Sequence, residues 1–225
     1  MGLLFVAAAI WIAAHVGIAG SAVRARIVGR IGDAWFRGVF SLLSLASIVF
    51  LCVAYRRAPL LALWSLPAWL VWILDVLMLP ACVLLIAAVA APNPTSVGQD
   101  KAMAREPAGV TRVTRHPMLW SFTIWALVHL LANGELGGVI FFGAFAVTSL
   151  VGMPSIDRKL AARDPAGWAR LSAVTSILPF GVIAAGRNRF VPAEIVWYVP
   201  AGGFVLWAAL LYFHATIVGV PAIPG

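Results

Sequence analysis

The sequence predicts an all-α integral membrane protein with six transmembrane helices and both termini on the outer, periplasmic side. Three observations carry that prediction. Of the 225 residues, 63% are hydrophobic and only 11% charged, with a mean hydropathy of +0.99, far outside the range of a soluble domain. The apolar runs are too long and continuous for the alternating pattern of a barrel strand, and in hydrocarbon only helices and closed barrels satisfy their own backbone. Finally, 14 of the 16 Lys and Arg fall in three alternate loops, which the positive-inside rule places on the cytoplasmic face. The chain reads as one membrane domain, 1–225.

The elements follow in order. Gly2 to Gly20 forms the first span, and Arg24, Arg26 and Arg30 follow it, the reverse of the charge order in a cleaved signal. A basic linker leads to a second span, Gly38 to Tyr55, closed by Arg56, Arg57 and Pro59. Leu60 to Leu66 is too short to cross and reads as an interfacial connection. The third span covers Ala68 to Ala91, with Asp75 inside and Pro80 as a kink, and Pro92-Asn93-Pro94 stops it. A loop with Lys101, Arg105, Arg112 and Arg115 leads to the fourth span, Pro117 to Asn133. Proline loses no hydrogen bond in a first helical turn, so His116-Pro117 marks the entrance. Asn133-Gly134-Glu135 predicts a tight turn into a fifth, antiparallel span, Leu136 to Met153. Pro154 to Arg189 reads as a surface amphipathic helix followed by a short apolar dip, Val174 to Ala185. The last span covers Ala193 to His214, and the Gly137-Gly138 and Gly202-Gly203 pairs predict close helix approaches.

The net charge of +8 does not point to nucleic acid, because the basic residues are spread between spans and not along one stripe. Membrane lipid, through its anionic head groups, is the partner they predict. Cys52 and Cys82 lie in apolar runs without metal or redox spacing and read as small core residues.

Chemistry concentrates in four histidines, His15, His116, His129 and His214, and in Asp75, the one carboxylate deep in a span. An imidazole inside a bilayer is costly, and imidazole is a common axial ligand of haem iron, so the set predicts a haem site. By depth His15 and His116 form an inner pair and His129 and His214 an outer pair. Asp75, about 10 Å from the outer face at helical rise, suits the outer pair and is expected to accept a hydrogen bond from His129 or His214. Met118, Phe122, Trp125 and His129 share one helical face, so Trp125 is a candidate wall of the same site, with core packing as the plainer reading.

Several motifs then give the chain a resemblance to the NnrU family of bacterial membrane proteins over nearly its whole length: H-V-G-I-A at His15 to Ala19, T-R-H-P-M-L-W at Thr114 to Trp120, W-A-L-V-H-L-L-A-N-G at Trp125 to Gly134, S-x-L-P-F at Ser176 to Phe180, and the closing H-x4-G-V-P from His214 to Pro221. That resemblance implies an accessory role beside respiratory nitrogen-oxide enzymes. It extends to plant zeta-carotene isomerases, which implies haem b held by His15 and His129, a lipophilic polyene substrate and cis–trans isomerisation. The cysteine those enzymes carry before the second histidine is Ala126 here. At helical rise His15 and His129 differ in depth by about 11 Å, so one haem between them has to lie near parallel to the bilayer, or the helices have to tilt. R-H-P-M, Asp157 and Ile177-Leu178-Pro179 also look like the arrangement in isoprenylcysteine-type membrane methyltransferases, without their Glu pair. A non-enzymatic haem or lipid handling factor is the remaining alternative.

Overall fold

A computed structural model describes residues 1–96 and 99–223, apart from the side chains of Asp100 and Lys101. Helices follow one another in the order α1 (Gly2–Ile12), which continues as a π-helical segment (Ala13–Ala19), α2 (Ala22–Ile31), α3 (Asp33–Arg56), α4 (Ala68–Ala90), a 3-10 turn (Asp100–Ala104), α5 (Val110–Val113), α6 (Pro117–Asn133), α7 (Leu136–Arg163), α8 (Pro165–Val174), α9 (Gly181–Ala184), a 3-10 turn (Pro192–Glu194) and α10 (Tyr198–Val218). Among the described residues five helices are long and apolar enough to cross a membrane: α1 with its π-helical continuation, α3, α4, α7 and α10. The sixth predicted span, α6, is apolar with the expected bounds but has 17 residues. The chain forms two compact units, Met1–Leu66 with Ala126–Ser155, and Pro67–Trp125 with Ile156–Gly225.

In the first unit α1 packs on α3, and its buried residues Leu4, Ala7, Ala8 and Trp11 are spaced as one face of a helix. The basic linker is itself helical. Ser21 caps α2 by accepting the Val23 N–H at 3.1 Å, and Arg24 reaches Asp33 at 2.6 Å. Asp33, favoured in a first turn by the helix dipole, starts α3 five residues before the predicted Gly38. Leu60 to Leu66 is extended, not a span, and pairs with the turn between α6 and α7: the N–H groups of Leu63 and Trp64 donate to Gly134 O at 2.8 and 3.1 Å, and Leu136 N–H to Leu61 O at 2.9 Å. Gly134 has φ +60°, and a Cβ there would run into the Trp64 carbonyl, so the predicted tight turn admits only glycine.

Helix α7 continues ten residues past the predicted end, straight through Pro154. The buried stripe explains it: Met153, Asp157 and Leu160 recur at four and three residues, while Pro154 lies on the exposed side.

In the second unit α4 and α10 pack closely. A Cβ on Gly203 would stand 2.7 Å from Val83 Cα, and one on Gly202 3.4 Å from an Ile86 methyl, so the small pair sets the approach as the sequence predicts. Trp207 Nε1 donates to the Asp75 carbonyl at 2.7 Å. The helix starts five residues later than predicted because Pro200 fits only a first turn, and Gly219, at φ +91°, caps it with its N–H on Ala215 O at 2.9 Å. Residues 192–194 instead form a clasp: Glu194 accepts from Arg112 Nε and Nη2 at 2.6 and 2.8 Å and from Gly109 N–H at 2.8 Å. Asp164 caps α8, accepting the Gly167 N–H at 2.9 Å, and Met103, Leu160 and Leu171 bury a small core beneath it.

Gly203→Val is expected to destabilise the folded protein by about 1–3 kcal/mol through overpacking against the Val83 backbone, lowering the melting temperature in detergent. Gly29→Ala, in open space on α2, should leave it unchanged. The Arg112 hydrogen bonds and the Gly109 N–H hold Glu194 down at about 2. A depressed carboxylate stabilises above its unfolded value and loses that contribution as pH falls through the folded one. The melting difference between the native protein and Glu194→Gln should therefore be constant above about pH 5 and close towards about pH 2.

Candidate functional site

His15 lies in the π-helical segment, and such segments occur mostly at functional sites. Its Nδ1 is 2.9 Å from the Trp11 carbonyl. A carbonyl only accepts, so Nδ1 carries the proton and Nε2 the lone pair. Nε2 makes no hydrogen bond with any described residue. Two rings hold the imidazole: Trp11 at 3.9 Å between centroids, tilted by 31°, and Phe40 edge-on at 5.4 Å.

His129 belongs to the same compact unit, half-buried on α6, with the Phe142 ring at 5.1 Å. Between the two histidines runs an unbroken line of aromatic contacts: Trp11 to Phe145 at 4.8 Å, Phe145 to Phe141 at 5.3 Å, and Phe141 to Phe142 at 5.0 Å. Tyr55 stacks on Phe141 at 4.7 Å and donates its hydroxyl to Glu135 at 2.7 Å. The sequence reading passed over the α7 rings, although Phe141 and Phe145 stand one helical turn apart. Among the described residues no group of three or more His, Cys, Asp or Glu could hold a bare metal ion. Two imidazoles in an aromatic, dry setting suit instead a metal that brings its own equatorial ligands, as a porphyrin iron does.

The other predicted residues, His116, His214, Asp75 and Trp125, all belong to the second unit. His116 is fully buried, and its Nε2 lies 2.8 Å from Asp157 Oδ1. The same carboxylate takes Arg115 Nε and Nη2 at 3.0 and 2.7 Å, while Arg115 Nη1 donates to Thr175 O at 2.9 Å and the guanidinium covers the Trp168 ring at 5.0 Å. His116 Nδ1 has no hydrogen-bond partner among the described residues. The S-x-L-P-F segment docks on this cluster through its backbone. Ser176 O accepts the Arg115 N–H at 3.1 Å, and Ile177 O accepts Thr114 Oγ1 and Trp120 Nε1, each at 2.8 Å. Thr95 Oγ1 donates to Arg115 O at 2.6 Å.

His214 stands within the last turns of α10, its Nδ1 2.6 Å from Val220 O, and is close enough to Asp75 to act on it electrostatically. The hydrogen bond expected of the Asp75 carboxylate does not form among the described residues. The nearby donor, Trp207, is taken by the Asp75 backbone carbonyl, and His214 turns its Nδ1 to the chain beyond its own helix. Trp125 is half-buried on α6, and Phe122 on the same predicted face is 40% exposed. Ser121, Thr123, Ala126 and Val128 of this helix are buried.

A family model described as NnrU protein matches residues 3–222. The chain is 33% identical over 81 residues to the chloroplastic 15-cis-zeta-carotene isomerase of Zea mays, a match covering 36% of this chain and 22% of that protein. It is 31% identical over 80 residues to the enzyme of the same description in Arabidopsis thaliana, with the same coverage of 36% and 22%. The match thus spans about a fifth of the length of these relatives. No solved structure gives a significant match. With the family's model running over nearly the whole length, the chain belongs to the NnrU family.

Proposed function

We propose that this protein is a bacterial inner-membrane protein that isomerises a cis double bond in a carotenoid-like polyene with a haem b that His15 and His129 would hold. Six helices cross the bilayer and both termini face outward. Helix α6, about 26 Å long at helical rise, crosses with the Arg115-His116 entrance at the inner head-group level. The observation that carries the reading is that the His15 Nδ1 proton is committed to a carbonyl, which leaves Nε2 for iron, in the compact unit that also holds His129. The similarity to the two plant isomerases supports the reaction class.

Haem, when bound, would supply a ferrous iron able to coordinate or donate electron density to a double bond. The chain supplies the rest. The Trp11 carbonyl fixes the His15 tautomer and raises the basicity of Nε2, as a hydrogen-bonded outer partner does for metal-binding histidines. Trp11, Phe141, Phe142 and Phe145, each less than a tenth exposed, keep water out and leave the polyene only apolar surface to lie against. The methyltransferase reading is disfavoured, because Arg115 and His116 are spent within the protein on Asp157. A role beside nitrogen-oxide enzymes needs a protein partner, and a delivery factor needs a recipient; neither needs turnover of a polyene by the pure protein.

The experiment is purification in detergent from haem-replete cells, with absorption spectra before and after reduction. The native protein should show a Soret band and the sharp reduced bands of six-coordinate haem. His15→Ala and His129→Ala should each lower haem content by at least about tenfold, the size that even outer partners of a metal can carry. His116→Ala and Asp75→Asn should keep it. A colourless protein, or equal retention in His129→Ala and His116→Ala, overturns the assignment. Mixed with a 15-cis polyene after reduction, the native protein should yield the trans isomer and His15→Ala should not. A haem-loaded, stable protein that turns over no polyene would leave the delivery or accessory reading.

A further inference from the structure

A cavity of about 270 Å³ opens in the second unit where α4 ends and α10 begins. No histidine lines it, and it is independent of the haem reading. Its apolar part is the last turn of α4, Ala87 and Ala90, with Tyr198 and Val199 from the start of α10. One wall is the clasp in which Glu194 is satisfied by Arg112 and the Gly109 N–H. Arg105 and Glu106, both exposed, also line it, and their side chains make no hydrogen bond or ion pair with any described residue; Glu106 acts on Arg112 only through its field. A second, more open groove of about 340 Å³ shares Ala90, Ala91, Pro92, Ala102 and Arg105 with the cavity and reaches Val89, which is 62% exposed on α4.

These neighbours fall in a sequence. Inward from the exposed apolar face of α4 come Val89, then Arg105, which lines both spaces, then Glu106, which lines only the inner one. An acyl chain, a phosphate and an ammonium fall in the same order along a phosphoethanolamine lipid. We propose that this cavity is a site for phosphatidylethanolamine, with the phosphate on Arg105, the primary ammonium on Glu106, and the acyl chains along the Val89 face of α4. The volume, below the roughly 300–1,000 Å³ of pockets for whole small ligands, suits a head group alone. The level suits it too, since α4 leaves the apolar layer here and Tyr198 is of the type that anchors at the interface. A primary ammonium can donate to Glu106, whereas a quaternary choline cannot, and a glycerol head group leaves that carboxylate without a cation.

The test uses the full chain, delipidated in detergent, with thermal melting and native mass spectrometry against phosphatidylethanolamine, phosphatidylcholine and phosphatidylglycerol of equal chain length, and against soluble phosphoethanolamine. Phosphatidylethanolamine should bind at least about tenfold tighter than the other two, the factor that one charge-assisted hydrogen bond supports. Arg105→Gln should lose the binding of phosphatidylethanolamine, and Glu106→Gln should erase its advantage over phosphatidylcholine. Both side chains are exposed, so both variants should melt like the native protein without lipid. Equal binding of the three lipids, or an undiminished preference in Glu106→Gln, overturns the proposal. So does soluble phosphoethanolamine binding as tightly as the lipid, which would make the ligand a free phosphoamine.

Discussion

The second unit depends on one buried charge cluster. Arg115, Asp157 and His116 are 8%, 7% and 1% exposed, and a guanidinium at that depth is tolerable only with its donors filled. They are filled by one carboxylate and one carbonyl. The pairing fixes more than charge, because the strap from Thr175 to Phe180 is irregular backbone whose carbonyls would otherwise go unpaired, and Arg115, Thr114 and Trp120 satisfy them. Opening such a pair by deleting one partner costs about 3–5 kcal/mol, since the other charge stays buried. Thr114, Arg115, His116 and the S-x-L-P-F segment are therefore architecture, however much their polarity suggests chemistry.

That distinction marks what the sequence could and could not reveal. Five helices long enough to span were legible because hydrocarbon imposes length and apolarity, and Gly134 and Gly203 each announced a close approach that a side chain would break. Ends were less legible where a proline admits two outcomes. Pro154 is carried inside α7 by the buried stripe around it, whereas Pro200 sets the start of α10. The basic residues after the first span read as a linker because their charges dominate, yet Ser21 caps α2 and Asp33 opens α3. The π-helical turn at Ala13–Ala19 has no signature that periodicity can register.

The candidate site shows the same limit from the side of contacts. Asp75 drew notice because it is deep in a span, but depth does not supply a partner, and its carboxylate has no hydrogen bond among the described residues. Asp157, in a polar stretch, looked like one surface charge among several. Its importance lies in meeting Arg115 and His116 from some 40 residues away, which no local pattern encodes. The ring contacts from Trp11 through Phe145 and Phe141 to Phe142 join α1 to α7 and are equally non-local.

The structure also sets His15 apart from His116. An imidazole can serve a metal only through a nitrogen whose lone pair is not already committed. For His116 the reachable choices are poor: coordination through Nε2 means giving up Asp157 and leaving a buried carboxylate with one partner fewer, and Nδ1 is sealed in the core. His15 faces no such conflict, because the hydrogen bond it makes is the one that leaves Nε2 basic and aimed away from the backbone. A half-exposed ring with one nitrogen already fixed is closer to a ligand than a buried ring with a carboxylate in hand. The π-helical segment that displays it is the local irregularity expected where a helix gives up regular bonding to present a side chain.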